Sequence, residues 1–187
     1  MPELGYRFPE ASTQRGGGFS PFPGRLMASR DGPSAFVVDR MLGRLAKALR
    51  MLGYDALYWT GDNDAILDKA REESRILLTR RRALLKYRGE VEVVLIPQDR
   101  PLDQLRSLLR TLDLPLSGIP ILSRCLRCNT PLTSIPKEEV MDRVPDHVYQ
   151  TQTEFSSCRR CRRIYWRGTH RSHMERTIER LREEEGL

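Results

Sequence analysis

Residues 36–53 read FVVDRMLGRLAKALRMLG, and this stretch decides the fold. Its first residues form a short apolar run that is β-branched at Val37 and Val38, which predicts a buried strand. After Asp39, apolar residues recur at helical spacing and predict a helix with one apolar face: Met41, Leu42, Leu45, Ala48, Leu49 and Leu52. Gly53 suits the left-handed position that ends a helix. We therefore expect Asp39 at the carboxyl end of a strand and at the start of a helix, the edge where open α/β sheets bind ligands.

The same alternation of strands and helices continues along the chain to about residue 120. Apolar runs predict three further strands, at residues 54–59, 75–79 and 91–96. Amphipathic segments predict a helix after each of them, at residues 64–74, 83–89 and 102–112. Strands that alternate with helices form a parallel sheet with helices on both faces. The sequence therefore predicts an α/β domain over residues 35–120.

The composition is that of a soluble globular chain with a basic surface. Of the 187 residues, 39% are hydrophobic and 30% are charged, and there is neither a bilayer-spanning apolar run nor a secretory signal. We therefore expect a cytoplasmic protein that does not enter a membrane. The net charge of +7 favours a polyanionic partner, most commonly nucleic acid, although ribosomal neighbours or anionic lipid would satisfy the same charge. Residues 1–34 lack periodicity and are expected to form a flexible arm.

Four cysteines form two CxxC pairs, Cys125-Leu-Arg-Cys128 and Cys158-Arg-Arg-Cys161. In a cytoplasmic chain this arrangement favours a metal site over disulfides, and a redox pair would normally stand alone. Four thiolates complete a tetrahedral zinc site with no open position, so we expect a structural zinc ribbon that unfolds on chelation. A charged helix is predicted over residues 172–185. The ribbon and this helix are expected to form a second domain over residues 121–187.

The cysteine turns are basic and lead into aromatic residues. Arginine with exposed aromatic rings is suited to hold phosphates and to stack unpaired bases, so the segment predicts RNA contacts. The candidate RNA-binding residues here are Arg124, Arg127, Arg159, Arg160, Arg162, Arg163, Tyr165, Trp166 and His170. The alternative for Trp166 is a place in the small core of the ribbon. His170 is not needed as a metal ligand, because four thiolates already fill a zinc site.

Three acids are the candidate catalytic residues. In a parallel sheet Asp39, Asp64 and Asp99 can meet at one edge, where clustered carboxylates repel each other until a divalent cation binds. Mg²⁺ or Mn²⁺ held by Asp39 and Asp64 could lower the pKa of a bound water and support phosphodiester hydrolysis. Each acid also has a simpler interpretation: a helix N-cap for Asp39, a first-turn acid for Asp64 and a turn residue for Asp99. Nearby acids that are less well placed are Asp55, Asp62 and Asp103.

Five stretches of the sequence resemble motifs of a known protein family. They are FVVDRMLGRLAKALRMLGYDALYW at residues 36–59, the D-x-x-L-x-x-A pattern at 64–70, RILLTRRRALL at 75–85, CLRCN at 125–129 and FSSCRRCRRIYWRGTH at 155–170. Together and in this order they resemble the Mut seven C-terminal ribonuclease family, a branch of the PIN nucleases joined to a zinc ribbon. The resemblance implies a Rossmann-like PIN fold with a mainly parallel sheet, metal-dependent RNA cleavage, and Asp39 and Asp64 as acids of the site.

One position departs from the pattern of that family. The family typically reads T-R-D after its third strand, whereas this chain has Thr79-Arg80-Arg81. Arginine therefore stands where a metal-binding acid is expected. Arg81 could pair with Asp39 or Asp64 and would then lower the affinity of the site for metal.

Two hypotheses about function follow from these features. The first is a metal-dependent endoribonuclease, in which RNA is also held by Arg80, Arg81 and Arg82. The second is a non-catalytic RNA- or ribosome-binding protein, with tRNA as another candidate ligand, whose nuclease site is weakened by Arg81. We favour the first because the two best-matched acids remain. A third, weaker hypothesis is a toxin-like nuclease that an inhibitor covers.

Overall fold

The structure is a computed structural model that describes residues 35–115, 120–166, 168, 175–177, 179, 180 and 183. The predicted N-terminal arm at residues 1–34 lies outside the described residues, and so does His170. Most of the predicted C-terminal helix lies outside them as well, but residues 175–177, 179, 180 and 183 are helical. The described residues belong to one compact unit.

Strands and helices alternate through the first part of this unit. The parallel sheet and its helices comprise β1 Ala35–Asp39, α1 Gly43–Met51, β2 Asp55–Trp59, α2 Asn63–Glu72, β3 Ile76–Thr79, β4 Val93–Leu95 and α3 Pro101–Thr111. Short 3-10 helices are formed by Arg40–Leu42 and Arg82–Tyr87. None of the described helices has the length and apolar composition that crossing a bilayer requires.

The four strands form a parallel sheet in the order β2-β1-β3-β4, which confirms the predicted α/β class. The chain passes from β1 outward to β2 and then returns to the other side of β1 to form β3. The direction of winding therefore reverses between β1 and β3, and open α/β sheets bind ligands outside the carboxyl ends of the strands at such a point. Asp39 ends β1 and Thr79 ends β3, so both residues lie at this position.

Helices cover both faces of the sheet, as the continuous apolar strands predict. Phe36 and Val38 pack on one face in a cluster with residues of α1 and α3. Val37 faces the other way and packs with residues of α2. All three side chains are fully buried, and burial of one such side chain contributes about 1.5–3 kcal/mol to folding. This packing holds the end of β1, and therefore Asp39, in a fixed place.

The segment after β1 differs in one detail from the predicted helix. Arg40–Leu42 form a 3-10 turn before α1 begins at Gly43, so the helical phase shifts and Met41 is 56% exposed instead of lying on the apolar face. The predicted end of the helix is confirmed. Gly53 has φ 91°, and the N–H of Tyr54 donates to the carbonyl of Leu49 at 3.0 Å.

The second part of the unit is a three-stranded antiparallel sheet with a small core. Its elements are β5 Leu132–Ile135, α4 Asp146–Thr151, β6 Phe155–Cys158 and β7 Ile164–Trp166, with a 3-10 helix at Lys137–Val140. The core is formed by Val140, Val144, Val148 and Phe155. Trp166 is half-buried and packs against this core, as the alternative interpretation of that residue predicts.

Candidate active site and metal centre

The four cysteine thiols converge on one point. The Sγ atoms of Cys125, Cys128, Cys158 and Cys161 all lie within 4.8 Å of one another. The Cys125 and Cys161 sulfurs are 3.6 Å apart, close to the ~3.8 Å separation of two corners of a tetrahedron with Zn–S bonds of about 2.3 Å. The cluster could therefore bind zinc through four sulfur ligands, as the spacing of the cysteines predicts.

The two cysteine turns have the same backbone geometry. The residue after the second cysteine is left-handed in both, with φ 64° at Asn129 and 58° at Arg162. The N–H of Asn129 donates to the carbonyl of Cys125 at 2.9 Å, and the N–H of Arg162 donates to that of Cys158 at 2.8 Å. This tight turn brings both sulfurs of each pair to the same side, which is what a shared ion requires.

The thiols cannot all ionise without a cation. Burial acts to raise the pKa of Cys125, but hydrogen bonds from the Tyr165 hydroxyl and from backbone N–H groups outweigh it and lower the pKa to about 6. For Cys128, burial, the hydrogen bond with Cys161 and the charge on Cys125 together raise the pKa to about 12. A divalent cation removes this conflict, because it stabilises every thiolate that coordinates it.

Tyr165, a predicted RNA-stacking residue, has its hydroxyl at the cysteine cluster. The hydroxyl lies 3.2 Å from the Cys125 sulfur and accepts a hydrogen bond from the N–H of Leu126, also at 3.2 Å. A partner of this kind orients a metal ligand and adjusts its basicity. The hydroxyl of Tyr165 is therefore used within the ribbon.

Arg50 joins α1 to the first cysteine turn. It is 6% exposed, and its Nε donates to the carbonyl of Ala56 at 2.8 Å. Its Nη1 donates to the carbonyls of Leu126 at 2.9 Å and Arg127 at 3.1 Å, which lie between the two cysteines of the turn. The sequence places Arg50 off the apolar face of the helix, and no pattern in the sequence indicates these distant acceptors.

Asp55 is the second link between the sheet and the cysteine turn. Its carboxylate accepts hydrogen bonds from Arg75 at 2.6 Å and from the Asn129 amide at 2.7 Å, and Arg124 lies 3.3 Å away. Burial acts to raise the pKa of Asp55, but these partners outweigh it and hold the pKa below its usual value. The sequence pattern places Asp55 less well than the three candidate catalytic acids, and in the structure it connects the sheet to the cysteine turn.

Asp39 is the buried acid at the carboxyl edge of the parallel sheet. It is 1% exposed, and its Oδ2 accepts hydrogen bonds from the Thr79 hydroxyl at 2.7 Å and from Nε of Arg81 at 2.6 Å. Its Oδ1 is buried without a hydrogen-bond partner among the described residues. Asp39 occupies the N-cap position of the following 3-10 turn, but its side chain makes no capping hydrogen bond. Arg81 pairs with Asp39, one of the two acids that the sequence offers it.

The other two candidate acids are exposed. Asp64 lies in the first turn of α2, where Asp62 caps the helix by accepting the N–H of Ala65 at 2.8 Å. Asp99 is 87% exposed and forms an ion pair with Arg80. Over the part of the chain that the structure describes, the four cysteines are the only group of three or more side chains arranged to hold a metal. The predicted gathering of the three acids is not seen there, and their catalytic roles stay a prediction.

This acid arrangement does not fit a divalent ion held by protein ligands. Mg²⁺ and Mn²⁺ prefer several oxygen ligands with negative charge. Asp39 offers one unpartnered oxygen, while its second oxygen already accepts hydrogen bonds from Thr79 and Arg81. The acid that would complete the pair in the family pattern is replaced by the guanidinium of Arg81.

The predicted RNA-binding arginines fall into two groups. Three are paired with acids: Arg80 with Asp99, Arg81 with Asp39 and Arg124 with Asp55. The others are exposed and have no acidic partner among the described residues: Arg82, Arg127, Arg159, Arg160, Arg162 and Arg163. Five of these six lie on the two cysteine turns or directly after them, which gives the ribbon a concentrated positive surface.

The sequence was compared with models of known protein families. The model of the Mut7-C RNAse domain matches residues 34–178, which is most of the chain. The match includes Asp39 and all four cysteines. No curated protein and no solved structure matches the chain. The chain therefore belongs to the Mut7-C RNAse domain family.

Proposed function

We propose that this chain binds RNA but does not cleave it, because Arg81 blocks metal-dependent hydrolysis at Asp39. Membership of the Mut7-C RNAse domain family suggests a ribonuclease-related function, with RNA as the partner. The observation that carries the proposal is the contact of 2.6 Å between Nε of Arg81 and Oδ2 of Asp39. The assignment of the parallel sheet to the PIN nucleases is part of the same proposal.

RNA binding is supported by the exposed arginines of the ribbon. Guanidinium groups form strong, often bidentate hydrogen bonds with phosphate, and each phosphate contact releases counterions. The second cysteine turn carries Arg159 and Arg160, and Arg162 and Arg163 follow it directly. No acid among the described residues pairs with any of these four arginines. A ribosomal site or a tRNA would offer the same phosphates.

The loss of hydrolysis is supported by electrostatics at Asp39. Two unit charges about 4 Å apart interact by roughly 4 kcal/mol at an effective dielectric constant of about 20, and a divalent ion doubles that energy. The guanidinium of Arg81 therefore repels a cation that approaches Asp39, and this repulsion offsets the attraction of one carboxylate at the same distance. Without the cation, neither the attacking water nor the phosphate is activated.

The test is a cleavage and binding assay on single-stranded RNA with Mn²⁺. We expect the native chain to bind RNA without cutting it, and Arg81→Asp to cut it. Asp39→Asn added to Arg81→Asp should abolish that cleavage. Arg82→Asp is the matched control, because it makes the same change of charge at an exposed neighbour that does not contact Asp39. A folded Arg81→Asp protein that leaves RNA intact would contradict the blocking role of Arg81.

The second candidate is the metal-dependent endoribonuclease itself. It is favoured by one observation: Oδ1 of Asp39 is buried without a hydrogen-bond partner, and an oxygen of this kind suits a cation. This candidate predicts that the native chain cuts RNA with Mg²⁺ or Mn²⁺ and that Asp39→Asn abolishes the cut. Cleavage by the native chain would replace the first proposal, while RNA binding that does not weaken with salt would contradict both.

A further inference from the structure

A cavity of about 440 Å³ opens at the carboxyl edge of the parallel sheet, beside the acid site. It lies between the turn after β1 and the start of α3. Its lining residues are Met41, Gly43, Arg44, Arg80, Asp99, Pro101 and Gln104. Arg80 is the neighbour of Arg81 in the chain, and Met41 follows Asp39 by two residues, so the cavity adjoins the Asp39–Arg81 pair without including it.

The lining carries two guanidinium groups and one acid. Arg44 is exposed and has no acidic partner among the described residues. Arg80 is paired with Asp99, which is itself 87% exposed. The charge of the lining is therefore positive, and an anion that enters the cavity can use Arg44 directly and compete with Asp99 for Arg80.

Gln104 gives the cavity a buried polar group with spare capacity. It is 4% exposed, and its Nε2 donates to the carbonyls of Gln98 at 2.8 Å and Asp99 at 3.3 Å. Its amide oxygen accepts no hydrogen bond from the described residues. Because the two carbonyls fix which end of the amide is the donor, the free end is an acceptor, which suits a hydroxyl or an amine of a ligand.

Two helices begin at the cavity. Gly43 is the first residue of α1 and Pro101 is the first residue of α3, and neither helix has a side-chain hydrogen bond that caps its start. The start of a helix carries partial positive charge, which adds to the field of the two arginines. At α3 the groups that remain without intrahelical acceptors are the N–H groups after Pro101, because proline itself has none. The same cavity thus combines an anion-binding side with a neutral acceptor.

We infer that this cavity binds one nucleotide, with its phosphate against Arg44 and Arg80 and a sugar hydroxyl or base amine against Gln104. The volume is within the range of about 300–1,000 Å³ that small-ligand sites occupy. The identity of the natural ligand as a nucleotide of RNA rests on the proposed function. The binding itself does not, because it depends only on the residues of the cavity.

The test is a titration of the full chain with 5′-AMP, with adenosine and inorganic phosphate as comparison ligands, followed by NMR. We expect 5′-AMP to shift the side-chain amide signal of Gln104 and the backbone signal of Gly43, and to bind more tightly than either comparison ligand. Arg44→Ala should weaken binding about tenfold or more, because it removes a charged hydrogen-bonding partner. Asp99→Asn should tighten binding, because it frees Arg80.

The matched control is Arg88→Ala, which removes an exposed arginine outside the cavity and should leave 5′-AMP binding unchanged. Adenosine or phosphate binding as tightly as 5′-AMP would overturn the inference, and so would equal effects of Arg44→Ala and Arg88→Ala. RNA binding measured on the same proteins separates the two proposals. Intact RNA binding without 5′-AMP binding overturns only the nucleotide site, and the reverse result overturns only the proposed function.

Discussion

Asn129, the residue directly after the first cysteine pair, accepts the backbone N–H of Ala56 at 3.0 Å through its side-chain oxygen. Ala56 lies in β2, the edge strand of the parallel sheet, so part of the hydrogen bonding of that strand is supplied by the metal-binding turn. Arg50, in α1, also donates hydrogen bonds to this turn, at the carbonyls of Leu126 and Arg127. We therefore expect metal binding by the cysteines to stabilise β2.

The first prediction concerns removal of zinc. Chelation should release the cysteine turn, because it removes the metal–sulfur bonds that would hold the two cysteine pairs together, and the N–H of Ala56 then loses its acceptor. Amide hydrogen exchange at Ala56 should become faster by a larger factor than at Leu78, which lies in the interior strand β3. Equal protection of Ala56 before and after chelation would show that the ribbon and the sheet are independent.

The second prediction separates the backbone and side-chain roles of Asn129. Asn129→Gly keeps the left-handed conformation but leaves the Ala56 N–H without its acceptor and removes one of the three partners of Asp55, which should cost about 1–3 kcal/mol of unfolding free energy. Asn129→Ala should cost about 1 kcal/mol more, because φ of 64° is unfavourable for alanine. Urea unfolding of the zinc-loaded proteins measures both values. Equal stabilities for the two variants would show that the backbone conformation has no energetic weight.

The third prediction concerns Arg81 and has a readout other than cleavage. Arg81→Ala leaves the carboxylate of Asp39 buried with only Thr79 as a partner, which should destabilise the fold by roughly 3–5 kcal/mol. Without metal, Arg81→Asp should be at least as unstable as Arg81→Ala. Mn²⁺ at a hundred times its dissociation constant should stabilise Arg81→Asp by about 2.7 kcal/mol. Thermal unfolding with and without Mn²⁺ tests this. Mn²⁺ should raise the unfolding temperature of the native chain by less than it raises that of Arg81→Asp.

The fourth prediction concerns stability at alkaline pH. Burial raises the pKa of Tyr54 to about 12, from about 10 in the unfolded chain, and its hydroxyl donates to the carbonyl of Pro115. The folded state therefore holds the proton more tightly, so this contribution is complete below pH 10 and is lost as the pH rises toward 12. Between pH 9 and 11 the free energy of unfolding, measured in urea, should fall by about 1 kcal/mol more for the native chain than for Tyr54→Phe. Parallel curves for the two proteins would contradict the assignment.

The sequence is sufficient to predict those parts of the structure that depend on local pattern. The strand ending at Asp39 is marked by its apolar run and by the helix that follows, and the metal centre is marked by the spacing of the cysteines. The pairing of Arg81 with one of two acids could also be anticipated, because arginine replaces an acid at a known edge. In these cases the signal is local: an apolar run, the spacing within each cysteine pair, or residues that follow the ends of neighbouring strands.

The connection between the two sheets could not be predicted, because the residues joined by its hydrogen bonds are 73 to 77 positions apart in the chain. Arg50 reaches carbonyls of the cysteine turn, and backbone acceptors leave no trace in a sequence. The expectation that the three acids meet could not be made firm for a different reason. The parallel arrangement brings together residues that end strands, as Asp39 does, whereas Asp64 lies in a helix and Asp99 in a loop. Their positions depend on segments whose path the strand pattern does not determine.

The last prediction uses Arg162 to separate the RNA-binding surface from the fold of the ribbon. Arg162 is exposed and adopts φ of 58°, a conformation that glycine accepts without strain. Arg162→Gly should therefore leave the zinc-loaded ribbon as stable as the native protein or up to about 1 kcal/mol more stable. It also removes one positive charge from the proposed RNA-binding surface. Binding of single-stranded RNA should weaken, and the slope of log K against log salt should fall by about 0.7 for one lost phosphate contact. Arg88→Gly, a loss of the same charge outside the ribbon, should leave that slope unchanged, and a variant at Arg162 with native affinity and slope would exclude this turn from the interface.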